Sequence, residues 1–244
     1  MAAYPPSQKS FYQQGNIMPD KWTYRIIAGL ALAVILYVLF PNSEPDRRPN
    51  LWSITHIDNT LSILGLTINH HSLQDALTAL RVTPDIALFT TRQKQGDPEP
   101  DMHLEAYLAD LYDEGDSIIL GLDADSELLQ HIKKQAYQPQ LFPNNVIRVG
   151  VQESLIPDIL NLPIHNITII TGTSIMFEDF KEKFGEPEKL INDGVGNAHF
   201  LYPTLGLDFI QPANGAQVLQ FVDPARFNED LFKPLMQSLP KGAI

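Results

Sequence analysis

The sequence predicts an α+β protein in which a single N-terminal transmembrane helix is followed by two helix-on-antiparallel-sheet modules. Three observations carry that expectation. Residues 26–40, IIAGLALAVILYVLF, run for 15 positions without a charge or a proline. Beyond them, short runs rich in β-branched and apolar residues alternate with turn signals, the mark of antiparallel strands. Two helical stretches, one opening near Ser72 and one near Ser174, each precede such a set of strands.

Fifteen helical residues rise about 22 Å, short of a hydrocarbon layer of roughly 30 Å, so the amphipathic flank from Trp22 is needed for a marginal span over 22–41. Trp22, Tyr24 and Arg25 on one side and Tyr37 and Phe40 on the other are the aromatic and snorkelling residues expected at a bilayer boundary. Cleavage as a leader is the weaker reading, because Leu39-Phe40-Pro41-Asn42-Ser43 lacks small residues ahead of a cut. Lys9, Lys21 and Arg25 precede the run, while Arg47 and Arg48 follow it, diluted by Glu44 and Asp46. That bias places the N-terminus in the cytoplasm. Residues 42–244 carry 14 basic and 28 acidic side chains, a charge of −14 that suits a body held away from an anionic lipid surface. The expected setting is therefore a bacterial cytoplasmic (inner) membrane, crossed once, with the lipid bilayer as partner through residues 22–41 and the C-terminal domain periplasmic.

Composition excludes several classes. The absence of cysteine removes disulfides, thiolate nucleophiles, zinc–cysteine sites and a lipid-bearing cysteine. A pI near 4.9 argues against nucleic acid, which needs clustered Lys and Arg.

In chain order, residues 1–21 read as a disordered cytoplasmic tail, 22–41 as the membrane helix and 42–60 as a linker, with three prolines in 41–50. A first α+β module is expected over 61–136. Leu61 to Ile68 reads as its first strand. Ser72 and Asp75 form a capping-box pattern ahead of Leu73, Ala76, Leu77 and Leu80 on one helical face, and Pro84 ends that helix. Strands follow over 85–92, 102–108 and 117–122, and Asp125 caps a second helix that closes on Lys133 and Lys134. Four prolines punctuate a connecting segment, 137–163, around the strand Val146 to Val151. The second module, 164–244, opens with a strand ending at Thr168 to Thr171 and continues with a helix capped by Thr173 or Ser174. That helix carries Phe177, Phe180 and Phe184 and closes on Gly185 and Pro187. Strands are expected over 198–202, 205–210 and 218–222, and a C-terminal arm completes the chain.

The stretch GTSIMFEDFKEKFGEPEKLI, then AHFLYPTLGLDFI and VLQFV, resembles the helix-plus-sheet module of the BamE-like (SmpA/OmlA) outer-membrane lipoproteins and of the β-lactamase inhibitor protein. The resemblance covers 168–222, with a fainter echo over 67–122. It implies a cell-envelope location and protein partners, with no catalysis by the module. The chain departs from the lipoproteins in lacking their lipid-bearing cysteine.

The functional expectation is an extracytoplasmic protein-interaction or envelope-assembly module without enzymatic activity, catalytic residue, metal or cofactor. A small-ligand or lipid-binding domain is the alternative, and a hydrolase stands behind it. Gly115-Asp116-Ser117 resembles the serine block of the GDSL-type esterases, but no Asp-x-x-His accompanies it, so a polar turn before a strand explains it better. The seven histidines lack metal-ligand spacing, and Asp123, Asp125 and Glu127 lack the glycine of a calcium loop. Between Asp97 and Glu127 stand eleven acidic residues and no Lys or Arg, so Asp113, Glu114 and Asp116 are candidates for docking a basic partner. His199 and Tyr202 are candidates for a partner-binding sheet face.

Overall fold

The computed structural model describes residues 54–57, 60–91, 101–109, 115–135, 137–142, 145–172 and 174–240. A hairpin comes first. Strands β1 (Ile54–Ile57), β2 (Thr60–Ile63) and β3 (Leu66–Thr67) form a small antiparallel sheet. Leu61 to Ile68 is therefore two strands rather than one. Leu64 and Gly65 both take positive φ, 56° and 78°, and turn the chain between them. Leu64 accepts that conformation with its side chain fully buried.

Helix α1 (Leu73–Leu80) starts where its cap requires: the Ser72 hydroxyl accepts from the Asp75 amide, and the Asp75 carboxylate accepts from the Ser72 amide. Then come β4 (Asp85–Thr91), β5 (Met102–Leu108) and β6 (Ser117–Leu122), followed by α2 (Ser126–Lys134) under its Asp125 cap. Strands β7 (Tyr137–Leu141) and β8 (Val146–Gly150) and the short helix α3 (Ile156–Leu160) fill the connecting segment. After β9 (Ile164–Ile170), α4 (Phe177–Phe184) leads into β10 (Lys189–Asn192), β11 (Asn197–Tyr202), β12 (Leu207–Pro212) and β13 (Val218–Val222). Helix α4 has Met176 at its N-cap position and no side-chain cap bond, contrary to the expectation for Ser174, while Thr173 lies outside the described residues. A 3-10 turn at Pro224–Arg226, a π turn at Asn228–Phe232 and helix α5 (Lys233–Ser238) end the described chain.

The predicted architecture needs correction on two points. First, the strands do not form two separate modules but one antiparallel sheet of ten, in the order β10-β11-β12-β13-β9-β6-β5-β4-β8-β7. Second, among the described residues no helix is long and apolar enough to cross a membrane, α2 being the longest at nine residues. The expected anchor over 22–41, with Trp22, Tyr24, Arg25, Tyr37 and Phe40, lies outside the described residues. So does the tail before it, and the end of the expected linker is already strand β1.

Read outward from the central β9–β13 pair, the two halves have the same plan. A helix, α1 or α4, precedes a four-strand meander whose last strand, β9 or β13, sits at the seam. Strand β9, assigned by its position in the chain to the second module, thus completes the first. Residues 123–163 are an insertion within that first meander, and β8 and β7 extend its edge.

The register sorts side chains onto two faces. Leu88, Leu104, Leu120, Ile167, Phe221 and Phe209 point to one face, where all four helices α1 to α4 and the small sheet bury them in a single cluster. In the second half the cluster is aromatic. Phe180 stacks on Phe209 at 4.2 Å between ring centroids and touches Phe184 and Tyr202, while Phe177 lies 4.3 Å from Phe200. The other face is treated differently in the two halves. Over β10 to β13, Phe227, Leu231, Phe232 and Leu235 of the C-terminal segment pack on Leu201, Val222 and Ile191.

Candidate functional site

Over β4, β5 and β6 the same outer face lacks a counterpart of that C-terminal segment among the described residues. Side chains at odd positions line it, because β4 and β5 each present every second residue outward. Ala87, Phe89 and Ile119 form the floor of a shallow hollow of about 250 Å³, and Tyr107 and Phe142 form its walls. Tyr107 is 40 % exposed and Phe142 is 42 % exposed, which is high for aromatic rings. Tyr137 and Leu141, on the neighbouring edge strand, are more exposed still.

Polar groups sit at the ends of the hollow. One guanidinium nitrogen of Arg148 reaches both carboxylate oxygens of Asp85, at 2.5 and 2.6 Å. Glu105 meets the His103 ring at 3.3 Å, and that ring lies parallel to Phe89 with 5.6 Å between centroids. The hydrogen bond and charge of Glu105 raise the His103 pKa above the ordinary histidine value, against the pull of partial burial. The Tyr107 hydroxyl and the Ser117 hydroxyl share a hydrogen bond of 2.9 Å. The result is an apolar floor with a charged rim, in which Asp85 and Glu105 stand against Arg148.

The residues singled out from sequence lie elsewhere. Asp113 and Glu114 fall outside the described residues. Asp116 is buried, 5 % exposed, and accepts the Gly172 amide at 2.6 Å, tying the start of β6 to the loop after β9. His199 and Tyr202, three apart on one strand, point to opposite faces. Tyr202 enters the helix-covered core, where its hydroxyl donates to the Gly185 carbonyl and burial pushes its pKa up to about 12. His199 faces the side covered by the C-terminal segment and bonds Asp208 through Nδ1 at 2.8 Å, with Asp193 4.0 Å from Nε2. Burial alone would lower the His199 pKa, but the Asp208 hydrogen bond and both negative charges outweigh it and raise it. Burial raises the Asp208 carboxyl, against the opposing pull of His199.

Sequence reasoning missed Phe89, Glu105, Tyr107 and Phe142. A signal was present in the strict alternation of Met102 to Leu108, where the even positions are apolar and the odd positions read His, Glu, Tyr. Among the described residues no three His, Asp or Glu side chains converge as a metal site. No family model matches the chain, and no curated protein or solved structure matches it either.

Proposed function

We propose that this chain is a protein-interaction module without catalytic activity of its own, acting in assembly at the cell envelope, and that its partner docks on the outer face of β4, β5 and β6. One observation carries the reading: this face exposes Tyr107 and Phe142 above an apolar floor, whereas the matching face of the other half is capped by the chain's own C-terminal segment. The resemblance of 168–222 to envelope modules that bind proteins points the same way.

Other readings have less support. The hollow of about 250 Å³ is smaller than the roughly 300–1,000 Å³ of ligand pockets, which weakens a small-ligand or lipid site on this face. For a hydrolase at Gly115-Asp116-Ser117, the serine hydroxyl is bonded to Tyr107 and the aspartate to the Gly172 amide, so both are committed to the fold.

Affinity purification of the full chain from its own cells, beside a Tyr107→Ala/Phe142→Asp variant of equal stability, tests the proposal. Loss of co-purifying protein from the variant alone is expected. Recovery of the same proteins by both, or of the bait alone by the wild type, would overturn it. Fractionation of the same cells checks the envelope location.

A further inference from the structure

We infer that the partner segment on this open face is an amphipathic helix with a lysine or arginine beside its apolar stripe. The inference rests on the docking reading above and adds the chemistry of the occupant.

The first argument is backbone hydrogen bonding. A segment lying on the face of a sheet finds side chains there, because the sheet's own amides and carbonyls are spent between strands. An extended segment would leave its peptide groups facing Phe89, Ile119 and Tyr107 without partners. A helix satisfies its own groups and offers an apolar stripe.

The second argument is the fold's own precedent. On the matching face the occupant is helical: Phe227, Leu231 and Leu235 recur every four residues and lie on Leu201, Val222 and Ile191. There the sheet supplies the cation and the occupant the ring, with Lys189 of β10 4.3 Å from the Phe232 ring centroid, so a charged group beside the apolar contact is part of the arrangement.

The third argument is charge. Both oxygens of Asp85 already accept from Arg148, whereas Glu105, 28 % exposed at the rim, meets the His103 ring and no Lys or Arg among the described residues. Strand β5 is drawn from the stretch between Asp97 and Glu127, with eleven acidic residues and no Lys or Arg. Asp85, Glu105 and Arg148 together leave the lining of the hollow with a net negative charge, so a cation on the occupant would meet Glu105 while its apolar stripe lies on Phe89 and Ile119. A second copy of this chain docking through the same face would bring the same acidic stretch against itself.

The test is photocrosslinking of the full chain carrying benzoylphenylalanine at position 142, in its own cells, with sequencing of the attached segment. The expected segment has apolar residues at helical spacing and an adjacent Lys or Arg. Made as a synthetic peptide, it should become helical on binding the full chain. Its Kd should rise about tenfold with Tyr107→Ala and several-fold with Glu105→Gln at low salt, the second effect fading at high salt. An acidic or extended segment, a segment of a second copy, or a lipid adduct would overturn the inference. If purification depends on the face but the segment is of one of those kinds, the docking reading stands and this one falls. If no crosslink forms, both fall.

Discussion

Removing the His199 imidazole exposes what the buried Asp208 carboxylate costs the fold. Asp208 is 2 % exposed; one oxygen pairs with His199 at 2.8 Å, and the other, Oδ1, is buried with no partner among the described residues. In His199→Ala that carboxylate keeps its burial and loses its only counter-charge in hydrogen-bond contact. Stripping one partner from a buried pair typically costs 3–5 kcal/mol. Burial already raises the Asp208 pKa, so the variant can relieve part of this by taking up a proton, and about 3 kcal/mol is the expected loss near pH 6. For a body of this size that is a fall in Tm of about 6–12 °C. The pH dependence has a definite sign. Because the folded His199 pKa is raised, its contribution is fully present below the ordinary value of 6.5 and is lost as pH rises through the folded value. The stability gap between wild type and variant should therefore be widest near pH 6 and narrow toward pH 9. Asp208 is the opposite of the usual carboxylate: its raised pKa favours the neutral acid, so the gap should narrow toward strong acid as well. Urea unfolding of both proteins across this range measures the gap. A loss under about 1 kcal/mol near pH 6, or a gap that widens as pH rises, would refute the reasoning. A His199→Phe/Asp208→Leu double variant, packed against Ile191, Ile210 and Leu201, should recover most of the loss.

Other substitutions test other parts of the fold. Phe180→Ala, which empties the centre of the aromatic cluster, should cost about 3–5 kcal/mol in urea unfolding. Gly206→Ala should cost roughly 2–4 kcal/mol, measured as a lower Tm, because φ is 62° there and a Cβ would run into the Val222 carbonyl oxygen, which is backbone and cannot swing away. Asp116→Ala should cost about 1–3 kcal/mol and raise hydrogen exchange at Gly172, whose amide it leaves without its acceptor.

The sequence showed elements where local chemistry settled them. The Ser72–Asp75 box, the Asp125 cap, the alternation of 102–108 and the apolar run of 117–122 placed α1, α2, β5 and β6 to within a residue or two. Strands whose partners decide them were hidden. Strand β7, YQPQL, is exposed at all five positions and carries a proline, so nothing apolar marks it, and it exists because β8 offers an edge. Strand β10, KLIN, is too short and too polar to stand out before β11 pairs with it. The union of two modules into one sheet was equally hidden, because pairing of β9 with both β6 and β13 is a long-range fact with no local signature. At the candidate site the same limit applied: Tyr107 reads as one residue of an alternating strand, and the register with Asp85 and Ile119 is what makes it part of a surface.

The routing of the chain explains why one outer face is covered and its counterpart is not. With β13 the second meander is complete, and the chain crosses to the outer face and spends Pro224–Ser238 covering its own half. After β9, the matching strand, six residues separate Ile170 from Phe177, and α4 must begin on the helix-covered side to open the second meander. The insertion before β9 had its own obligations. Helix α2 buries Leu129 and Ile132, and α3 buries Ile159, in the main core, while β7 and β8 lengthen the sheet sideways. No described segment of the first half is left to shield Phe89, Ile119 and Tyr107. An open apolar sheet face costs solubility unless something covers it, and here the duplicated plan itself creates the vacancy at the first half and fills it at the second.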